Sequence, residues 1–432
     1  MATSSQHRRG SASAPSPDQA SRSSAGPTLR AWLDAGKAVL DRPTTSYYLV
    51  LAPAALLLAL GLVMVLSASS VMSLQSTGSA YSIFFRQAVW VAVGLPMAFV
   101  ASRFPHRWLR RLAYLALLIS IGLLALTYIP GIGVTVNGNR NWVQLGSSSL
   151  KIQPSESAKL AMVIWSASVL AYKGRLLAQP KHLFIPLIPV FTLLLALVLG
   201  GGDLGTALVL FAITLTTLFI VGVPLRLFAV PVLVVLGVIS AFTLSSPNRM
   251  RRVLGFTNPL ADMHGTGYQA SHSFFALASG GWWGVGIGAS KEKWGALPEA
   301  HTDFILAVIG EELGLAGTLV VLLLFLTLAY AGIRIAMRAN TAFIRFAAAE
   351  IVAWFMAQSL VNMGAVIGLL PIAGIPLPLV SYGGSAMLPT LIALGFLLSF
   401  ARAEPGAVEA LAGRRRWWRR RGRSNGAVEQ TV

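Results

Sequence analysis

Residues 47–67 read YYLVLAPAALLLALGLVMVLS, without one charged side chain. About 20 predominantly apolar residues cross a ~30 Å hydrocarbon core as a helix, so this stretch predicts a transmembrane span. Runs of the same kind recur near 85–102, 110–129, 155–172, 183–200, 204–223, 225–244, 303–333, 345–370 and 385–402. The expectation is an all-α, polytopic membrane protein with about ten transmembrane helices. A long loop, 245–302, separates the seventh and eighth. At 1.5 Å per residue, 303–333 would form a helix of roughly 46 Å, which either tilts or projects its first turns beyond the bilayer.

Composition agrees with that class. The chain has 432 residues, 55% hydrophobic and 11% charged, with a mean hydropathy of +0.69. Soluble domains carry about 25% charged residues. A net charge of +19 would suit nucleic acid if it were gathered on a polar domain. Here Lys and Arg sit in tails and short loops beside apolar runs, the pattern of membrane-surface charge, so nucleic acid is not an expected partner. Without cysteine there is no disulfide, thiolate nucleophile or Cys-ligated metal.

Residues 1–45, rich in Ser, Ala, Pro and Arg, read as a disordered cytoplasmic tail. They do not read as a signal peptide, because the first apolar run is long enough to span. The transmembrane domain is expected over 46–403. In the basic tail 404–432, GRRRWWRRRGR (413–423) reads as a membrane-surface anchor.

Loop charges set the orientation. After spans two, four, six and eight come Arg103, Arg107, Arg110 and Arg111; Lys173, Arg175 and Lys181; Arg226; and Arg334, Arg338 and Arg345. The intervening short loops carry few. Both termini are then cytoplasmic and the 245–302 loop lies outside.

Three polar clusters fall on the outer side. In VNGNRNWVQLGSSSLKIQPSESAK (136–159), Asn137-Gly138 signals a turn and Pro154 a helix start. Glu156 and Lys159 there are either an i,i+3 ion pair or functional charges. In GGGDLGT (200–206), Asp203 reads first as a helix cap. The third cluster runs from Arg249, Arg251 and Arg252 through SGGWWGVGIG (279–288), Lys291 and Lys293 to PEAHTDFILAVIGEELG (298–314). Thr302 is the expected N-cap, with Asp303 in the first helical turn as either a capping carboxylate or a reactive one. Glu311 and Glu312 are expected to pair with cations of the outer face or a neighbouring span, or to bind a cation. His264, His272 and His301 lack zinc-ligand spacing, and no serine-hydrolase elbow or Walker loop is present. One carboxylate among several cations, at a membrane surface, suits a lipid-tailed substrate with an anionic head. Residue chemistry alone leaves transport and reaction both open.

QPSESAK, DLGT, GYQ…SGG…GVGIG, PEAHTDFILAVIGEELG and PLPLVSYGGS (376–385), in that order, resemble the SEDS family of bacterial shape, elongation, division and sporulation proteins. The likeness covers about 47–403. PEAHTDFI is most similar to the division branch, and the long tails and high Arg and Ala content resemble actinobacterial members. The resemblance implies a peptidoglycan glycosyltransferase of the cytoplasmic membrane that polymerises lipid II at the division septum. Its implied partners are a class B penicillin-binding protein and other divisome proteins. It places the family's essential acid on Asp303, the expected general base for the acceptor sugar's 4-hydroxyl. Glu156 and Lys159 take the places of the QPSExxK charges. Arg140, Lys159, Lys291 and Lys293 are expected around the diphosphate, and His301, Ser381 and Gly383 as further substrate contacts. An α-linked donor giving a β-linked polymer requires inversion by one displacement. No cofactor is expected beyond a divalent cation, Mg²⁺ or Mn²⁺, that would assist at the diphosphate. Members often place Arg directly before the loop Trp, where this chain has Arg140-Asn141-Trp142, and Pro where it has Gly202. A lipid II flippase and a noncatalytic division scaffold are the alternative readings.

Overall fold

The computed structural model describes residues 42–410 apart from 137, 145–150, 245–249, 251–255, 257, 266 and 408. Most of the expected tails 1–45 and 404–432 lie outside the described residues, as do the 413–423 anchor, Asn137, Arg249, Arg251 and Arg252. The helices are α1 (Thr45–Thr77), α2 (Ser82–Ala101), α3 (His106–Leu126), α4 (Pro154–Lys173), α5 (Pro180–Gly200) and α6 (Leu204–Val221). They continue as α7 (Ala229–Leu244), α8 (Tyr268–Gly280), α9 (Ile305–Arg338), α10 (Ala342–Val366) and α11 (Met387–Arg402).

Each expected span coincides with a helix, and the chain is a polytopic membrane protein. Eight helices are long and apolar enough to cross a membrane. The other two spans are α4, which carries Glu156, Lys159 and Lys173, and α7, which has 16 residues. α4 is buried on nearly every side, from Met162 through Trp165 to Leu170, the mark of a core helix. It packs on α3 and α10, and α10 also packs on α6 and α9. Trp354 and Phe355 fill that centre. α2 instead exposes Phe85, Val89, Val93 and Leu95, a surface suited to hydrocarbon.

Two features depart from a plain helical bundle. Between α3 and α4, β1 (Gly133–Val136), β2 (Asn139–Gln144) and β3 (Lys151–Ile152) form an antiparallel sheet in the order β1-β2-β3. The sequence signals only a turn there, because strands this short leave almost no period-2 pattern. The second is a break in α9 at Gly314 (φ 69°, ψ −167°), a conformation open to glycine at little cost. The long run 303–333 therefore neither tilts nor projects as one rod. It bends, with Leu315 N–H donating to Gly281 O and Ala316 N–H to Trp282 O.

Candidate functional site

The turn before α9 is closed by Glu299, which adopts a left-handed conformation (φ 56°). Its carbonyl accepts from Thr302 N–H at 3.1 Å and Phe304 N–H at 3.2 Å. Its carboxylate accepts from the Thr302 hydroxyl at 2.7 Å. The expected cap is therefore wrong: Thr302 spends its hydroxyl on Glu299, and the helix starts at Ile305 behind Phe304. Asp303 sits ahead of the first turn. Its carbonyl accepts from Asn362 Nδ2 of α10 at 2.8 Å. Asp303 lines a narrow cleft with Asn362, Val361, Ala365 and the segment Ile372–Ile375. Burial, followed by the negative charges of Glu299 and Asp203, raises the Asp303 carboxyl to about 7. Each cause disfavours the anion, leaving a carboxylate able to take a proton near neutrality.

The SYGGS segment packs onto this turn. Tyr382 N–H donates to His301 O at 2.9 Å, and the two rings lie 5.5 Å apart. His301 is buried, and burial lowers its pKa against an opposing pull from Glu299. Ser381 is also buried: its Oγ accepts from Leu377 N–H at 2.8 Å, and its carbonyl accepts from Gln87 Nε2 at 3.3 Å. Gly383 is half-buried beside them. Ser385 Oγ accepts from Gln153 N–H at 3.1 Å, tying the segment to the start of α4. Burial raises the Tyr382 phenol while Arg86 of α2 pulls it down, so Arg86 lies near enough to Tyr382 for its charge to act there. Arg86 is exposed. It is one of the few charges on the outer side of the early spans, and its place at the start of the second apolar run was the available signal.

Asp203 joins the outer sheet to the bundle. It caps α6, accepting from Thr206 N–H at 2.9 Å and Thr206 Oγ1 at 2.8 Å. It also accepts from Asn141, Gln153 and Ser155. The expected cap is correct, and the further donors were invisible because they come from other elements. Gly202 has φ 88°, which proline cannot adopt, so this turn differs from one built on Pro-Asp-Leu-Gly-Thr.

Glu156 and Lys159 pair at 2.7 Å, both buried. Lys159 Nζ also donates to Gln358 Oε1 at 2.8 Å and lies 5.1 Å from the Trp354 ring centre. At 0% exposure, its ammonium is committed inside the protein. Lys293 is likewise buried: Nζ meets Glu312 at 3.0 Å, Ser67 Oγ at 3.0 Å and Gly288 O at 2.6 Å. Glu312 is thus paired as expected. Glu311 instead accepts from Ser290 Oγ at 2.5 Å and Lys291 N–H at 2.8 Å. The Lys291 side chain is exposed. Arg140 is half-buried in β2, its N–H bonded to Gly201 O at 2.8 Å, and its charge acts on Tyr128. Because strand side chains alternate, Asn141 rather than Arg140 turns toward Asp203. His272 pairs with Glu292 at 2.6 Å. Among the described residues no group of three or more His, Asp or Glu side chains is placed to hold a metal. The donor set thus offers no protein-only cage for Mg²⁺ or Mn²⁺.

The pattern of the FtsW/RodA/SpoVE cell cycle proteins matches residues 47–405. A Mycobacterium tuberculosis protein named probable peptidoglycan glycosyltransferase FtsW is 44% identical over 376 residues, covering 87% of this chain and 71% of the relative. The stage V sporulation protein E of Bacillus subtilis is 36% identical, covering 80% and 94%. One solved chain, from a peptidoglycan synthase complex that coordinates polymerization and crosslinking, superposes with a TM-score of 0.66 at 28% identity, over 83% of this chain and 98% of that one. The rod shape determining protein RodA of Thermus thermophilus gives 0.62 at 27%, over 83% and 97%. With Asp303, Asp203, the Glu156–Lys159 pair and the SYGGS segment assembled at one end of the helical bundle, this chain belongs to the FtsW/RodA/SpoVE family, the SEDS family of its motifs.

Proposed function

We propose that this chain is an inverting peptidoglycan glycosyltransferase that polymerises lipid II at the outer face of the cytoplasmic membrane during cell division. The observation that carries this reading is Asp303, a carboxylate in a cleft whose surroundings raise it to about 7. Asp303 takes the proton of the acceptor sugar's 4-hydroxyl as that oxygen attacks the anomeric carbon of the donor. The new glycosidic bond forms as the bond to the lipid diphosphate breaks. Arg140, Lys291 and Arg86, with heads not committed to an ion pair among the described residues, screen the leaving diphosphate. Buried Lys159, Glu156 and Lys293 support the walls; His301, Ser381 and Gly383 hold the outer rim.

The relatives' names support the activity, and the synthase-complex likeness supports a crosslinking partner, a class B penicillin-binding protein, among other divisome proteins at the septum. On this reading both termini are cytoplasmic. A flippase would need a continuous polar groove between the helices. Glu350, Trp354 and Gln358 of α10 are instead buried and engaged within the protein, which favours chemistry over transport.

The test is lipid II polymerisation by the purified protein with its penicillin-binding partner, wild type against Asp303→Asn, both verified as folded and partner-bound. Loss of roughly 10²–10⁴ in rate is expected, the usual worth of general-base catalysis. Normal chains from Asp303→Asn would remove Asp303 from the chemistry. A wild type that binds lipid II without extending it would favour transport or scaffolding.

A further inference from the structure

Asn362 lies on α10, 2% exposed, and lines the Asp303 cleft. Its Nδ2 donates to Asp303 O at 2.8 Å and Ile375 O at 2.9 Å, using both of its hydrogens. Those contacts fix the amide orientation, since a flipped amide would set its oxygen against two carbonyl oxygens. The other end, Oδ1, is buried and meets no donor among the described residues. A buried acceptor without a donor is costly, and this one sits in the same cleft as Asp303. The cleft is narrow, with room for a group of about one water's size beside Asp303 and Asn362. It therefore admits a single hydroxyl or amide N–H of a sugar rather than a whole ring.

We propose that Asn362 is a substrate-contacting specificity residue: Oδ1 accepts a hydrogen bond from a hydroxyl or acetamido N–H of the sugar held against Asp303, while Nδ2 locks the Asp303 turn. This rests on the glycosyltransferase reading. One side chain then ties the position of the base to the identity of the ring. Sites built to bond a donor reject analogues that lack it far more strongly than apolar pockets reject a missing methylene.

The test pairs a change in the protein with a change in the ligand. Wild type, Asn362→Leu and Asn362→Ala are compared on lipid II and on lipid II analogues lacking single acceptor-sugar hydroxyls or the acetamido N–H. Both kcat/KM and Kd are measured. Wild type should lose roughly tenfold on one matched analogue, the worth of one hydrogen bond, and the matched position distinguishes hydroxyl from acetamido. Asn362→Leu should lose nothing further on that analogue. Asn362→Ala, which removes Oδ1 without adding bulk or charge, should likewise lose nothing further on that analogue and carries the comparison alone if the leucine variant does not fold. Equal, additive losses on every analogue would overturn the proposal and reduce Asn362 to an anchor of the turn. Discrimination in Kd without polymerisation by wild type would support the contact while counting against the polymerase reading.

Discussion

Asp303 is poised near neutrality because burial, Glu299 and Asp203 all act on it in one direction. A general base works as its anion, so kcat/KM should fall as pH drops through about 7. Glu299→Gln removes one of the raising charges and keeps an oxygen for the Thr302 hydroxyl. The Asp303 pKa then drops, and the acidic limb of the pH–rate profile moves to lower pH. An unmoved limb, or one displaced upward, would remove Glu299 from the electrostatics of the base. Asp303 was legible in the sequence because an acid at the mouth of a span stands out. Glu299 was visible as a charge, but its left-handed turn was not, since that conformation is fixed by three bonds that close only in the fold. Asn362 and Gln358 gave no signal, because amides inside an apolar helix look like ordinary interruptions until their partners are known.

At the scale of elements, the helices were legible because hydrocarbon imposes their length. The sheet and the break at Gly314 were not, since both depend on backbone partners from distant segments. The Glu156–Lys159 question, left open by spacing, has a structural answer in α10: Gln358 and the Trp354 ring complete the ammonium's surroundings. Removing one member of a buried pair typically costs about 3–5 kcal/mol, whereas replacing both is far milder. Lys159→Met should therefore destabilise strongly, and Lys159→Met/Glu156→Gln should recover most of the loss, read by unfolding in detergent. If Lys159 acts only as a support, polymerisation recovers with stability. A stable but inactive double variant would return Lys159 to direct contact with the substrate.

At the scale of the whole molecule, the site exists only because α2, α4, α6, α9 and α10 bring Arg86, Glu156, Asp203, the Asp303 turn and Asn362 to one end of the bundle. The start of α1 lies beside the far end of α9, where Arg334 Nε donates to Ser46 Oγ, and so at the opposite end. The chemistry proposed is meaningful only if the Asp303 end faces outward, where glycan is laid down. A chain with no cysteine makes that directly testable. Lys291→Cys places one thiol on an exposed position near the site, and Lys181→Cys one on an exposed position near the opposite end. A membrane-impermeant maleimide applied to intact cells stripped of wall should label position 291 at once, and position 181 only after permeabilisation. The reverse pattern would turn the bundle over and bury Asp303 in the cytoplasm. A polymerase of external glycan would then be untenable, because its base would lie on the wrong side of the hydrocarbon from its product.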